Sequence, residues 1–594
     1  MPDSSVYYTD NPFPETTYDF VSVQKKCGVS IAYINIYPVT YYPLSGRVVG
    51  YYSLFLKVVL KESSQQPSPV LACYPERVYP ERMGIENPEV LETYTPEYCQ
   101  QIKANLPVGG ICDPAETAEY VIITNEVFRD ATGIPRPLSF LIEWREVYLG
   151  LTVEVVTIEE ILANDDYNYG DHGGEEAEDD CVRVRNFIRE AYNDWETEYV
   201  LIIGTPSSSP PLPMRKLYTW CGVPGENKYI NVFSDLYYQC IHDPYDFNDN
   251  DLYGEAGIDG VNGGEVDLTA DVFIGRVYAE TKPEDMSFFI DKAYRFENDV
   301  INAAPYTNNS LFAGEYLAGD VWGKHWMEPI RIGSEGYGYK TFGFKSSYYM
   351  ESTADKMYDS EGSWNKNEMK AKFNSNAYCI INHTGHGSVN GFMKLVVGSH
   401  NDIDDLTNTN PLFIYSQACW AGYPGGIGRN ITSTTEYGAW GSVLNTHFGL
   451  TVNNVNEEDP GNKFHRRFWN AYFYKGLFNV GAMNACSHED NLSLVKAWDI
   501  RWLYYVTTLI GDPYTFFRDP IPCERNLYLK TLLGYNDVLA RELLTAEKVL
   551  VAGSITKGTF VSGKKIRLLP GFNAYGGAEF RAFIDPVLYK SDCE

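Results

Sequence analysis

Two residues of this chain stand where covalent catalysis would need them. His386 lies between two glycines in Asn382-His383-Thr384-Gly385-His386-Gly387-Ser388, directly after the apolar run Tyr378-Cys379-Ile380-Ile381. Cys419 lies in Gln417-Ala418-Cys419-Trp420-Ala421-Gly422, directly after the apolar run Leu412-Phe413-Ile414-Tyr415-Ser416. Each run reads as a buried strand, and open α/β sheets put their sites beyond the carboxyl ends of strands. If the two strands are neighbours, thiol and imidazole meet across the sheet edge. His386 would then stabilise the thiolate and later protonate a leaving amine. The backbone N–H groups of Gly387 and Cys419 would face a developing oxyanion, with no β-carbon in the way at Gly387. Two other readings use the same residues. Cys379, His383, His386 and Cys419 have metal-ligating types, although neither C-x-x-C nor H-E-x-x-H is present, and an isolated Cys/His pair is often an inert buried thiol and a turn histidine. A serine hydrolase is disfavoured, since G-x-S-x-G is absent.

The elements that must hold this pair form an α/β pattern. Apolar runs at 120–124, 152–157, 199–204, 272–277, 311–313, 378–382, 412–416 and 438–444 read as strands, interleaved with helical stretches. Val184, Phe187, Ile188, Ala191 and Trp195 recur at three- and four-residue spacing, as on a helix that covers one sheet face, and the sheet is expected to be parallel. Thr281 with Glu284 forms a candidate capping box for a helix running to about Phe296, with Pro283 in its first turn. Short β runs at 31–37 and 48–60 around Pro43-Leu44-Ser45-Gly46, and again with glycine turns through the last ~70 residues, suggest small β units at both ends. The expected division is a β-rich unit with linker at 1–112, two α/β subdomains at 113–268 and 269–522, and a small β domain at 523–594.

Composition narrows the function classes. The chain has 594 residues, 44% hydrophobic and 21% charged, so a large core can form and the chain is globular. The formal net charge of −31 repels phosphate backbones, which argues against nucleic-acid partners and is compatible with cationic substrates or bound cations. No apolar run is long enough to span a bilayer. Twelve cysteines over this length define no disulfide framework. The stretch 246–255 alternates oxygen donors, with Asp246, Asn248, Asn250 and Glu255 as candidate Ca2+ ligands. Asp251 stands where an EF-hand would have its glycine, so the motif is not that one, and a solvated acidic loop is the alternative. No organic cofactor is expected.

At the motifs around His386 and Cys419 the chain resembles the gingipains, caspase-like cysteine peptidases. The likeness extends to Glu119-Tyr120-Val121-Ile122-Ile123-Thr124, Ser234-Asp235-Leu236-Tyr237-Tyr238, Asp271-Val272-Phe273-Ile274-Gly275-Arg276 and Ile510-Gly511-Asp512-Pro513, so it covers most of 115–520. It implies a caspase-like fold and an endopeptidase that cuts after Arg or Lys through a thioester acyl-enzyme. By this resemblance Asp235 lies at the base of the specificity pocket, His447, Phe448 and Leu450 form its wall, and Glu226 is the acid that orients His386. Residues 37–46 look like part of the family's β-rich prodomain, an intramolecular inhibitor, with Arg77, Arg82 and Lys103 as candidate cleavage points. Extracellular location, secreted or on the cell surface, follows from the resemblance alone. Asparaginyl specificity or transpeptidation on the same fold, and a cell-surface binding protein using the fold as a scaffold, are the alternatives.

Overall fold

The computed structural model describes residues 8–57, 71–79, 83–103, 110–171, 176–246, 248–256, 266–302, 304–336, 340–345, 353–450 and 459–517, with short strands between 526 and 584. Ten strands build its central sheet: β1 Tyr120–Thr124, β2 Val153–Thr157, β3 Tyr199–Ile203, β4 Phe273–Val277, β5 Ser310–Gly314, β6 Ala354–Tyr358, β7 Ile380–Thr384, β8 Leu412–Ser416, β9 Ala439–Asn445 and β10 Thr507–Ile510. Their order is β6-β5-β7-β8-β9-β10-β4-β3-β1-β2.

Neighbours are parallel except β9 and β10, where Ser442 faces Ile510 and Asn445 faces Thr507 in antiparallel register. The sheet therefore has two parallel halves running in opposite directions. Two strands escape the sequence pattern. β10 follows helix Trp498–Val506 with no intervening turn, and it opens on Thr507-Thr508, so only Leu509 and Ile510 are apolar in the strand. β6 is an edge strand whose Asp355 and Lys356 are exposed.

Both faces of the sheet are covered, which is why its strands read as continuous apolar runs. Along β1, Tyr120 and Ile122 enter one core and Val121 and Ile123 the other. Along β8, Leu412 and Ile414 go to one side, Phe413 and Tyr415 to the opposite one. Burial of each such large apolar side chain contributes about 1.5–3 kcal/mol. The amphipathic run in 184–195 is helix α1, Asp180–Asp194, started by Asp179, whose side chain accepts the Cys181 and Val182 N–H groups. Helix α2 spans Pro283–Ile301 with Lys282 as its N-cap and no side-chain cap, so the expected Thr281/Glu284 box does not form.

At the N-terminus, Tyr18–Lys26 and Val29–Ile36 pair antiparallel, as do Val39–Tyr42 and Arg47–Gly50. Residues 58–60 of the expected second run lie outside the described residues. A disulfide joins Cys73 to Cys99. This unit docks through buried polar contacts: Lys26 Nζ reaches Ala270 O and sits 2.7 Å from Glu489, and the Cys27 N–H donates to Asp271. Val21, Val29, Leu71 and Tyr74 share one hydrophobic core with Phe187, Ile188 and Tyr192. The C-terminal strands pair in parallel, for example Lys557 with Glu579 and Leu543 with Lys565.

Candidate active site

Strands β7 and β8 are parallel neighbours, with His383 opposite Ser416. The segments carrying His386 and Cys419 thus leave the sheet side by side, as their sequence contexts require. They also touch. A Cβ at Gly387 would fall 2.4 Å from the Cys419 carbonyl oxygen and 2.8 Å from Ala418 Cβ, so glycine is what allows the approach.

Beyond β8 the chain turns sharply, and Trp420 has φ 61°, the left-handed region that a bulky residue occupies only under constraint. The constraint is visible. The Trp420 N–H donates to the His447 carbonyl at 2.7 Å, and its indole lies 3.6 Å from the His447 ring centre, with Tyr423 and Phe448 at its edges. The turn presents Cys419 at the surface. Among the described residues the other seven free cysteines are buried, whereas Cys419 is partly exposed. Burial pushes its thiol up, opposed by backbone hydrogen bonding at Gly449 and at Cys419 itself, and the thiol lies 3.6 Å from the Gly449 carbonyl oxygen.

His386 is exposed, on the loop that leaves β7. Its backbone N–H donates to Glu315 Oε2 at 3.2 Å, and Glu315 Oε1 lies 3.0 Å from His383 Nε2. A Cβ at Gly385 would collide with Glu315 Cδ at 2.4 Å, so the loop wraps this buried carboxylate closely. Glu315 was not identified from the sequence. The signal that could have found it is topological: Gly314 ends β5, β5 pairs with β7, and Gly314 lies opposite Thr384. His383 belongs to the strand itself and is fully buried, because β7 extends to Thr384 rather than ending near Asn382.

Two expected residues are placed elsewhere. Glu226 lies in the turn between strands Lys216–Cys221 and Lys228–Phe233, where it pairs with Lys228 at 2.9 Å, and its recorded contacts do not include His386. Asp235 is buried under a two-point ion pair with Arg276 of β4, at 2.8 and 2.7 Å, and Arg276 also donates to the Gly204, Leu212 and Pro213 carbonyls. Its charge is paired within the fold.

The wall expected from 447–450 divides. His447 and Phe448 are partly exposed beside Trp420 and Trp502, while Leu450 packs into the core. Burial lowers the His447 pKa to about 4, so its ring is neutral near pH 7. In the loop expected to bind Ca2+, donors face one another. Asn248 and Asn250 donate their side-chain amides to Glu255, and Asp246 accepts the Asn250 and Asp251 N–H groups. A different group, His242, Asp267 and Asp271, brings its ligand atoms within 4.8 Å of one another in the interior, with His242 Nδ1 2.9 Å from Asp271 Oδ2.

No curated protein sequence matches the chain. Solved structures similar to it include the Arg-specific cysteine proteinase gingipain R (RgpB), at 16% identity over 71% of this chain and 84% of that one with TM-score 0.45. A complex of Porphyromonas gingivalis RgpB pro- and mature domains is similar at 16% identity over 69% and 84%, TM-score 0.44. The family model described as Peptidase family C25 matches residues 113–517, which span all ten strands of the sheet together with Glu315, His386 and Cys419. The chain therefore belongs to peptidase family C25 and is a cysteine peptidase.

Proposed function

We propose that Cys419 is the nucleophile of this peptidase and His386 its proton carrier. The observation that carries the reading is the turn at Trp420, which brings the one partly exposed free cysteine among the described residues against the loop of His386. The Cys419 thiolate attacks the peptide carbonyl, and the Gly387 and Cys419 N–H groups receive the oxyanion. His386 protonates the departing amine, leaving a thioester, and then takes a proton from the water that hydrolyses it. Glu315 replaces Glu226 as the acid behind His386, acting through the backbone N–H it accepts.

Cleavage after Arg or Lys is the substrate reading, with a different acid from the one expected. Glu315 opens a short hairpin, Tyr316–Ala318 with Val321–Trp322, and Asp320 lies exposed at its turn with no ion pair recorded among the described residues. An exposed carboxylate on the hairpin that follows Glu315 supports preference for a cationic side chain, helped by the net charge of −31. Fluorogenic peptides ending in Arg, Lys, Asn or Asp test it. Arg or Lys peptides should be cut at least about tenfold faster than Asn peptides, and Asp320→Asn should erase most of that difference. Equal rates across the panel would refute the preference.

The N-terminal unit is read as a prodomain, an intramolecular partner whose removal raises activity. Of its candidate cleavage points, Arg77 is held by the Glu196 and Thr197 carbonyls, Arg82 lies outside the described residues, and so does the side chain of Lys103. Assaying the same peptides before and after limited proteolysis tests this, and unchanged activity after loss of the unit would refute it. The Cys73–Cys99 disulfide supports residence in an oxidising, extracellular compartment, so the protein should be recovered from culture medium rather than cells. Calcium at the oxygen donors of 246–255 is the metal reading, since Ca2+ takes oxygen ligands, whereas His242 with Asp267 and Asp271 is a mixed nitrogen and oxygen set. A chelator should then lower the Tm, and added Ca2+ restore it. No change in Tm would exclude a structural ion.

A further inference from the structure

Resting on the assignment of Cys419 and His386, we propose that His383 is a positioning residue that ties the two loops into one unit through Glu315 on one side and Ser416 on the other. The chain of hydrogen bonds is continuous. The His386 N–H donates to Glu315 Oε2 at 3.2 Å, and His383 Nε2, 3.0 Å from Glu315 Oε1, carries a proton because a carboxylate only accepts. On the other side of the ring, Nδ1 lies 2.8 Å from Ser416 Oγ, so ring and hydroxyl are hydrogen-bonded whichever of the two donates. Ser416 Oγ in turn accepts the Ala418 N–H at 3.1 Å, one peptide before Cys419.

Each link is buried. His383 is inaccessible, Ser416 is 1% exposed and Glu315 5%, so water does not substitute readily for a lost partner. The backbone adds a second tie between the same segments, since the Gln417 N–H donates to the His383 carbonyl at 3.1 Å. The ring thus sets the separation of the two strand ends from the inside, and the rotamer of Glu315 fixes the height of the His386 loop. A misplacement on the order of 1 Å between nucleophile and proton carrier costs about a hundredfold in rate, so a rigid link between their loops has catalytic value without touching substrate.

The two sides of the ring can be cut separately. His383→Gln keeps a donor near the Nε2 position and removes the Nδ1 link to Ser416, while Ser416→Ala removes the same link from the other end. In the full chain, with active sites counted by a peptidyl ketone inhibitor, each variant should lower kcat about tenfold per titrated site with KM changed less than about twofold. The double variant should be no worse than about twofold below either single one, because both break one link. Wild-type kcat in Ser416→Ala, multiplying losses in the double variant, or a loss explained by fewer titratable sites would overturn the proposal. Cys419→Ala separates the two levels. If it turns over like wild type, the nucleophile assignment falls and the tie with it. If it is inactive while His383→Gln behaves as wild type, the tie alone falls.

Discussion

Cys419 is set apart from the other described free cysteines by its surroundings, a left-handed tryptophan behind it and backbone hydrogen bonding at its sulfur. Its type and strand-end context, and those of His386, were legible in the sequence. The acids were not. Glu315 reaches the site only because β5 is placed beside β7, a pairing that no local pattern encodes. Asp235 was matched by its motif, yet its partner Arg276 lies 41 positions away, where no local pattern points to it. Whether the pair is structural or serves the specificity pocket is testable. Asp235→Asn leaves the Arg276 guanidinium buried without its charge partner, which costs about 3–5 kcal/mol of stability. A fall in the denaturation midpoint with unchanged preference for Arg over Asn peptides, measured on the folded fraction, is the expected result. Unchanged stability with lost Arg preference would return Asp235 to the specificity pocket.

At the scale of elements, several motifs that carry the family likeness prove to be scaffold. Gly275 of β4 lets the chain at Gly511 pass, since a Cβ there would fall 2.2 Å from the Gly511 oxygen. Asp512 is buried in a network with Arg145 and Tyr120, and Asp271 accepts N–H groups from Cys27 and Ile241. These residues hold strands and loops in register and leave the chemistry to β5, β7 and β8. Eight of the ten strands follow from apolar runs in the sequence. The missing two are an edge strand with polar positions and a strand fused to a helix, both cases in which burial does not change where the backbone does.

For the molecule as a whole, the α/β class was legible because a sheet covered on both faces writes itself as repeated apolar runs. The reversal at β9/β10 was not, since strand direction depends on how the chain returns from helix Trp498–Val506 to the sheet centre. The N-terminal unit also differs from a loosely tethered β module. Its Lys26 lies buried between Ala270 and Glu489, and its apolar residues join the core behind α1. The chemistry nevertheless rests on one sulfur atom, that of Cys419. Labelling the protein with an irreversible peptidyl ketone inhibitor ending in Arg, followed by intact-mass and peptide analysis, tests it most directly. One inhibitor per chain, located on Cys419 and absent from Cys419→Ala, is the predicted result. Labelling of another residue, or hydrolysis by Cys419→Ala at the wild-type rate, would contradict it.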